Sequence, residues 1–179
     1  VKVHFAAGTH PFPAPWRNVD FEGFQPGITD QADLLDGIPE HLTGIEDAYV
    51  GHFLEHLYLH EGVTFLARVL ERMAPGGRLT IVGPDVNKAR QWHGAGQITR
   101  ELLEACEAHG EVDPDQPHAR GAVHLWDCTA QQVVDLANAA GWTRAQEFPI
   151  REMRRVVPGV PVISDAGWQF AVVATAPDA

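Results

Sequence analysis

The stretch from Glu46 to Val82 constrains the fold of this chain more than any other. It opens with EDAYVG (Glu46–Gly51), a strand-like run that ends in His52. From Val63 onward, Phe65, Leu66, Val69, Leu70 and Met73 recur at helical spacing. The helix predicted there stops at Ala74-Pro75-Gly76-Gly77, where proline and glycine break it. RLTIV (Arg78–Val82) follows as a buried strand, closed by Gly83-Pro84-Asp85. Two apolar strands joined by a helix make a βαβ unit, and such units build parallel sheets with helices on their faces.

The flanking sequence extends this plan. Val1–Ala6 predicts a first strand that turns at Ala7-Gly8-Thr9, and Trp16–Val19 a second that ends at Asp20. Between them, HPFPAP carries Pro11, Pro13 and Pro15. Prolines at this density exclude a helix, and the link is shorter than the dozen or more residues of a usual parallel crossover. A short third strand is expected near Gln31–Leu34 and a helical turn over 38–44. Beyond the βαβ unit come helices over 86–92 and 98–109, then an irregular stretch over 111–121 rich in Pro, Asp and His. A helix capped by Thr129 or Asp127 runs to Ala140, with Gly141 after it. Strands over 142–149 and 167–175 complete the pattern, separated by a Pro/Gly-broken loop over 156–162. The last strand follows its predecessor without a clear helix, so an antiparallel arrangement is expected at the sheet end. No repeat or linker interrupts the chain, which reads as one domain over 1–179.

Composition narrows the function. Hydrophobic residues make up 45%, ordinary for a globular core. No apolar run approaches the roughly 20 residues of a membrane helix, and the start lacks the layout of a signal peptide. The two cysteines, Cys106 and Cys128, fit no metal spacing and read as reduced thiols of a cytoplasmic protein. A net charge of −11 repels phosphate backbones, so neither nucleic acid nor a membrane is expected as a partner. A small-molecule substrate is expected instead, with room for a homodimer or a protein partner. The ten histidines form no tract, so any metal site would have to be assembled in space.

Ligands of an open parallel sheet bind beyond the C-terminal ends of the strands. Gly8 lies at the first such end, Asp20 at the second, Gly51-His52 after EDAYVG and Asp85 after RLTIVGP. A glycine turn lets a ligand approach backbone closely. A carboxylate can accept from both hydroxyls of a ribose, and Asp33-Leu34 sets a polar acceptor beside an apolar wall, which suits a purine. Each signal is weak alone, since such residues commonly serve turns and caps.

Their order resembles that of class I S-adenosylmethionine-dependent methyltransferases, in a small branch of methyltransferase type 11-like proteins. The branch's Gly-Trp-Ile-Asn-Val-Asp-like string is matched by APWRNVD, ending in Asp20, and its Asp-Leu pair by Asp33-Leu34. Its His-Val-Leu-Glu-His-Leu-like string is matched by HFLEHL, His52–Leu57. APGGRLTIVGPD, WDCTAQQVVDLANAAGW and GWQFAVVATAP match the turn and fifth strand, the helix before the sixth strand, and the seventh strand. The resemblance implies a Rossmann-like, doubly wound α/β fold. Its seven-stranded sheet would be mostly parallel with an antiparallel last strand, shortened here in its first half. It implies methyl transfer from S-adenosyl-L-methionine, with Ala7, Gly8, Thr9, Asp20, Asp33, Leu34, Gly51 and His52 at the cofactor. His52 and Asp85 are then the candidate catalytic residues, and Trp92, His93, His118 and His124 candidates for the substrate mouth. The sequence departs from the family's Gly-x-Gly-x-Gly by keeping only Gly8 in AAGTHPF, and it lacks the helix that usually follows. A non-catalytic partner or regulatory domain on the same fold is the alternative.

HFLEH also matches H-x-x-E-H, a zinc-peptidase pattern in which two histidines on one helical face bind zinc and the glutamate is a base. As a strand end entering a helix, the segment is expected to hold no zinc, with His56 satisfied structurally. A zinc hydrolase is the remote alternative.

Overall fold

The computed structural model describes residues 1–21, 25–112, 123–156 and 166–178. Seven strands make one sheet: β1 (Lys2–Phe5), β2 (Trp16–Asp20), β3 (Asp30–Gln31), β4 (Ile45–Gly51), β5 (Met73–Pro84), β6 (Thr143–Phe148) and β7 (Gln169–Thr175). Their order is β3-β2-β1-β4-β5-β7-β6. The pairs from β3 to β5 are parallel, whereas β7 runs antiparallel to both β5 and β6. The doubly wound, mostly parallel sheet with an antiparallel last strand is therefore the one expected.

Helices α1 (Leu59–Leu70) and α4 (Ala130–Ala139) cover one face. Phe65, Leu66 and Val69 of α1 and Val133 and Ala137 of α4 lie in one cluster with Val3, Phe5, Val50, Leu79, Ile81 and Val172 of the strands. Burying a side chain such as Phe65 contributes about 2–3 kcal/mol. The Trp142 indole N–H, itself buried, donates to the Leu66 carbonyl at 3.0 Å and ties the end of α4 to α1. Three further helices, α2 (Val86–Gly94), α3 (Arg100–Cys106) and α5 (Met153–Val156), lie outside this core layer.

Side chains alternate across a sheet, so His4, between Val3 and Phe5, faces the other way. There the second cluster gathers Phe12, Trp16, Tyr49, Val82, Ile150, Met153, Ala171 and Val173. No helix lies between β1 and β2, as the prolines require. The loop between them does not run extended over the strand ends. Instead it folds onto the sheet face, because Asn18 captures it. The Asn18 side chain accepts from the Phe12 amide and donates to the Phe12 carbonyl, both at 2.8 Å. Phe12 then stacks on His4 with ring centroids 4.0 Å apart. One aromatic ring fills space that a helix covers in a full crossover.

Three boundaries differ from expectation for local reasons. The third strand stops at Gln31 because Asp33 makes a turn, its side chain accepting from Leu35 N and its carbonyl from Asp36 and Gly37. Helix α1 begins at Leu59 rather than Val63, since Glu61 closes its first turn by accepting from Tyr58 N at 2.9 Å. That first turn, Leu59–Gly62, buries only a glycine and leaves Leu59 exposed, so apolar periodicity passes over it. The helix ends at Leu70, ahead of APGG, and both Met73 and APGG lie inside β5. A Cβ on Gly77 would sit 2.7 Å from the Ile45 carbonyl oxygen, so only glycine lets β5 pass β4 where their register shifts.

Candidate functional site

The C-terminal ends of β1, β2, β4 and β5 share one edge of the sheet, and the sequence-predicted residues distribute along it. The chain leaves β1 through two left-handed residues, Ala6 at φ 53° and Gly8 at φ 50°. Gly8 is the residue type that takes this conformation without strain. The turn presents the Gly8 amide to Asp20, which accepts from it at 2.8 Å. Ala7 N donates to the Val19 carbonyl and Ala7 O accepts from His10 N, so the turn is fixed on both sides. A carboxylate has about four acceptor sites, so accepting the Gly8 amide does not by itself exclude hydroxyls of a ligand. Leu34 is buried, and Asp33 beside it is held in its own turn. Thr9 is exposed at the rim, its hydroxyl 3.1 Å from His10 Nδ1.

Gly51 and His52 end β4. His52 has φ 51°, which turns the chain sharply out of the strand. Its Nε2 lies 2.8 Å from Gln169 Nε2, and its Nδ1 lies 3.3 Å from Glu55 Oε1. A neutral His52 with its hydrogen on Nδ1, toward the carboxylate, keeps its Nε2 lone pair for the Gln169 side chain. Glu55 is fully buried. Burial pushes its carboxyl up, but the His52 hydrogen bond and the nearby His52 and His56 charges outweigh this and hold it below the usual range. A buried carboxylate that orients a half-exposed imidazole at a strand end is an arrangement suited to proton transfer.

Asp85 is positioned differently. It caps α2, accepting from Lys88 N at 3.1 Å on one oxygen and from Ala130 N at 3.3 Å on the other. Its carboxylate thereby joins the starts of α2 and α4. Beyond β5, β6 and β7 a cleft of about 660 Å³ opens between Lys88, Trp92, Glu147, Ile150, Arg151 and Gln169. Trp92 lines this cleft. His93 does not line this cleft, and His124 packs beside His56 with ring centroids 4.9 Å apart. His118 lies outside the described residues.

HFLEH does not form the paired-histidine face of a zinc peptidase. Only Leu54–His56 is helical, as one tight 3-10 turn. His52 stands before it with its ring on Gln169, while His56 Nδ1 bonds to the Val123 carbonyl at 2.7 Å. The two histidines point to different partners, which removes the geometry that the hydrolase alternative needs.

Sequence reasoning missed Gln169 and undervalued Glu55. Gln169 is legible only through register: β7 antiparallel to β5 sets Gln169 opposite Pro84, at the ligand edge.

No family model matches the chain, and no curated protein does. Solved structures do. An S-adenosylmethionine-dependent methyltransferase from Methanosarcina mazei superposes with a TM-score of 0.60 at 14% identity, over 99% of this chain and 92% of that one. One from Mesorhizobium loti gives 0.57 at 14%, over 97% and 90%. Phosphoethanolamine N-methyltransferase 2 of Haemonchus contortus, in complex with S-adenosyl-L-methionine, gives 0.57 at 11%, over 99% of this chain and 48% of that one. The chain therefore spans nearly all of some of these proteins and about half of others. It has the class I methyltransferase fold. Among the described residues no helix is long and apolar enough to cross a membrane.

Proposed function

We propose that this chain binds S-adenosyl-L-methionine and transfers its methyl group to a small-molecule acceptor. A fold alone does not establish a function. The observation that carries the reading is the Asp20–Gly8 contact, a carboxylate at the end of β2 braced against the glycine turn at the end of β1. The acceptors there fit a nucleoside: Asp20 for ribose hydroxyls, Asp33 with the Leu34 wall for the base. Ala7, Gly8, Thr9 and Gly51 bring backbone close to the remainder of the ligand.

When bound, S-adenosyl-L-methionine supplies an electrophilic methyl group, so the protein's task is chiefly alignment. Where the acceptor must lose a proton, His52 is the residue to take it, since its Nδ1 faces the buried Glu55 carboxylate and its Nε2 stands at the ligand edge. Gln169 occupies that nitrogen and would exchange with the acceptor. Asp85 remains a positioning residue through its two helix caps. The cleft beside Trp92 and Lys88 is the entry for the acceptor. Cytoplasmic location is part of this reading and rests on the free, buried Cys106 and Cys128.

A second reading, a non-catalytic domain on the same fold, is favoured by one observation: no helix N-terminus follows β1 to face the ligand's carboxylate. The test is calorimetry with S-adenosyl-L-methionine and its demethylated product, followed by label transfer from methyl-labelled cofactor to a panel of small hydroxyl, amine and thiol acceptors. Binding with transfer supports the enzyme. Binding without transfer across the panel favours the partner domain, and absence of binding sinks the cofactor assignment.

A further inference from the structure

Glu55, His56 and His124 each bring one ligating atom to a common point, all within 4.8 Å of one another. Several bonds assemble this point. The Leu54–His56 turn is laced to 123–126: His56 Nδ1 bonds to the Val123 carbonyl at 2.7 Å, Leu125 N donates to the Glu55 carbonyl at 2.8 Å, and the Trp126 indole donates to the Leu54 carbonyl at 3.1 Å. His124 is thereby drawn over the turn. A backbone bond from His109 N to the His124 carbonyl at 2.9 Å fixes it from the far side.

The hydrogen-bond bookkeeping at this point does not close with protein atoms alone. A carbonyl only accepts, so His56 must carry its hydrogen on Nδ1, which leaves a bare lone pair on Nε2. The His124 Nδ1 is buried without a partner. Glu55, 1% exposed, likewise has an oxygen, Oε1, with no well-formed hydrogen bond; its nearest donor is His52 Nδ1 at 3.3 Å. A buried Glu55 oxygen and a buried His124 nitrogen thus lack a partner beside the half-buried His56 ring, and buried polar atoms without a partner are costly.

We propose that Glu55, His56 and His124 form a binding site for a single divalent transition-metal ion of the zinc type. Two imidazoles and a carboxylate are an established donor set for such ions, and three protein ligands leave one position open for water or a ligand. His56 is oriented through its Nδ1 by the Val123 carbonyl, as metal-bound imidazoles usually are through their other ring nitrogen. Ligands at about 2.1 Å from a tetrahedral ion stand about 3.4 Å apart, so the three groups need to close in by about 1 Å. The site is distinct from the His52–His56 pairing that the HFLEH pattern suggested, because His124, 68 residues further on, takes the place of His52. The bound ion would clamp 123–126 to the end of β4, and through Glu55 it would stiffen His52.

Zinc titration of the full chain, first stripped with chelator, tests this without reference to cofactor or activity. We expect one zinc per chain after dialysis, an affinity tighter than micromolar, and a rise in thermal midpoint on adding zinc. His124→Ala and, separately, His56→Gln should weaken zinc binding at least a hundredfold and abolish the thermal rise. His60→Ala, which alters an exposed histidine of α1, should change neither. If one variant fails to fold, the other carries the comparison. Less than a tenth of an equivalent of zinc bound at ten micromolar free ion would overturn the proposal. So would equal zinc affinity in wild type and both ligand variants.

Discussion

The Phe12 ring lies flat on the His4 imidazole, centroids 4.0 Å apart and planes 29° from parallel. Trp16 and Tyr49 close around the same ring at 5.2 and 4.8 Å. The contact replaces a helical layer with a single side chain, so much of the stability of this sheet face passes through Phe12. Phe12→Ala should cost about 3–4 kcal/mol, in the usual range for removing a buried aromatic. Urea unfolding would measure it; a loss below about 1 kcal/mol would mean that the loop does not cover the sheet as described.

The same stack makes stability depend on pH. Burial, opposed by an Asn18 hydrogen bond and aided by the charge of His10, lowers the pKa of His4 from 6.5 to about 4. The folded state therefore holds fewer protons than the unfolded state between these values. Its contribution is fully present above pH 6.5 and is lost as pH falls toward 4. Linkage puts the loss between pH 7.5 and pH 5 at about 2 kcal/mol. His4→Gln should flatten this part of the stability profile, whatever it does to stability at neutral pH. An unchanged slope in urea unfolding at several pH values would show that His4 is not the group responsible.

The fold was legible where one segment carried its own signal. Phe65, Leu66 and Val69 declare a helix by spacing alone, and the runs on either side declare strands. The prolines of HPFPAP excluded a helix, also a local property. Where the loop then goes was not legible, because that depends on Asn18, whose amide pairs with Phe12 only after β2 lies beside β1. At the site, Asp20 and Gly8 could each be read from a strand end, but their mutual contact could not. Gln169 depends on antiparallel register, and His124 reaches Glu55 only through bonds that span 67 or more residues. Such relationships are properties of the assembled sheet.

Trp92 and Gly167 offer a test of the cleft. A Cβ on Gly167 would lie 2.3 Å from one atom of the Trp92 ring and 2.8 Å from a second. Gly167→Ala must therefore displace the indole that lines the cleft. We expect a loss of about 1–2 kcal/mol, typical of overpacking. Combining it with Trp92→Phe, whose smaller ring lacks those atoms, should recover about 1 kcal/mol as coupling energy. A double-mutant cycle in urea that shows simple additivity would place the ring elsewhere.

Cofactor affinity gives the sharpest prediction. Pro11, Pro13 and Pro15 have no backbone N–H to offer, and no helix dipole follows β1. The Gly8 amide, a donor that could meet the ligand, already bonds to Asp20. The charged end of S-adenosyl-L-methionine is thus met by few donors, while the ribose still finds a carboxylate. Binding should be weak, with a Kd of tens of micromolar, about 6 kcal/mol. Asp20→Ala removes the ribose acceptor and frees the glycine turn together. Losing hydrogen bonds to a charged group costs about 2–3 kcal/mol, which carries the Kd into the millimolar range. Asp20→Asn keeps an oxygen for Gly8 but lacks the charge, so it should fall between wild type and Asp20→Ala. Calorimetry on the three proteins decides the matter. Equal affinities would remove Asp20 from the site. A nanomolar wild-type Kd would mean that some other group supplies the charge complementarity that the missing helix does not.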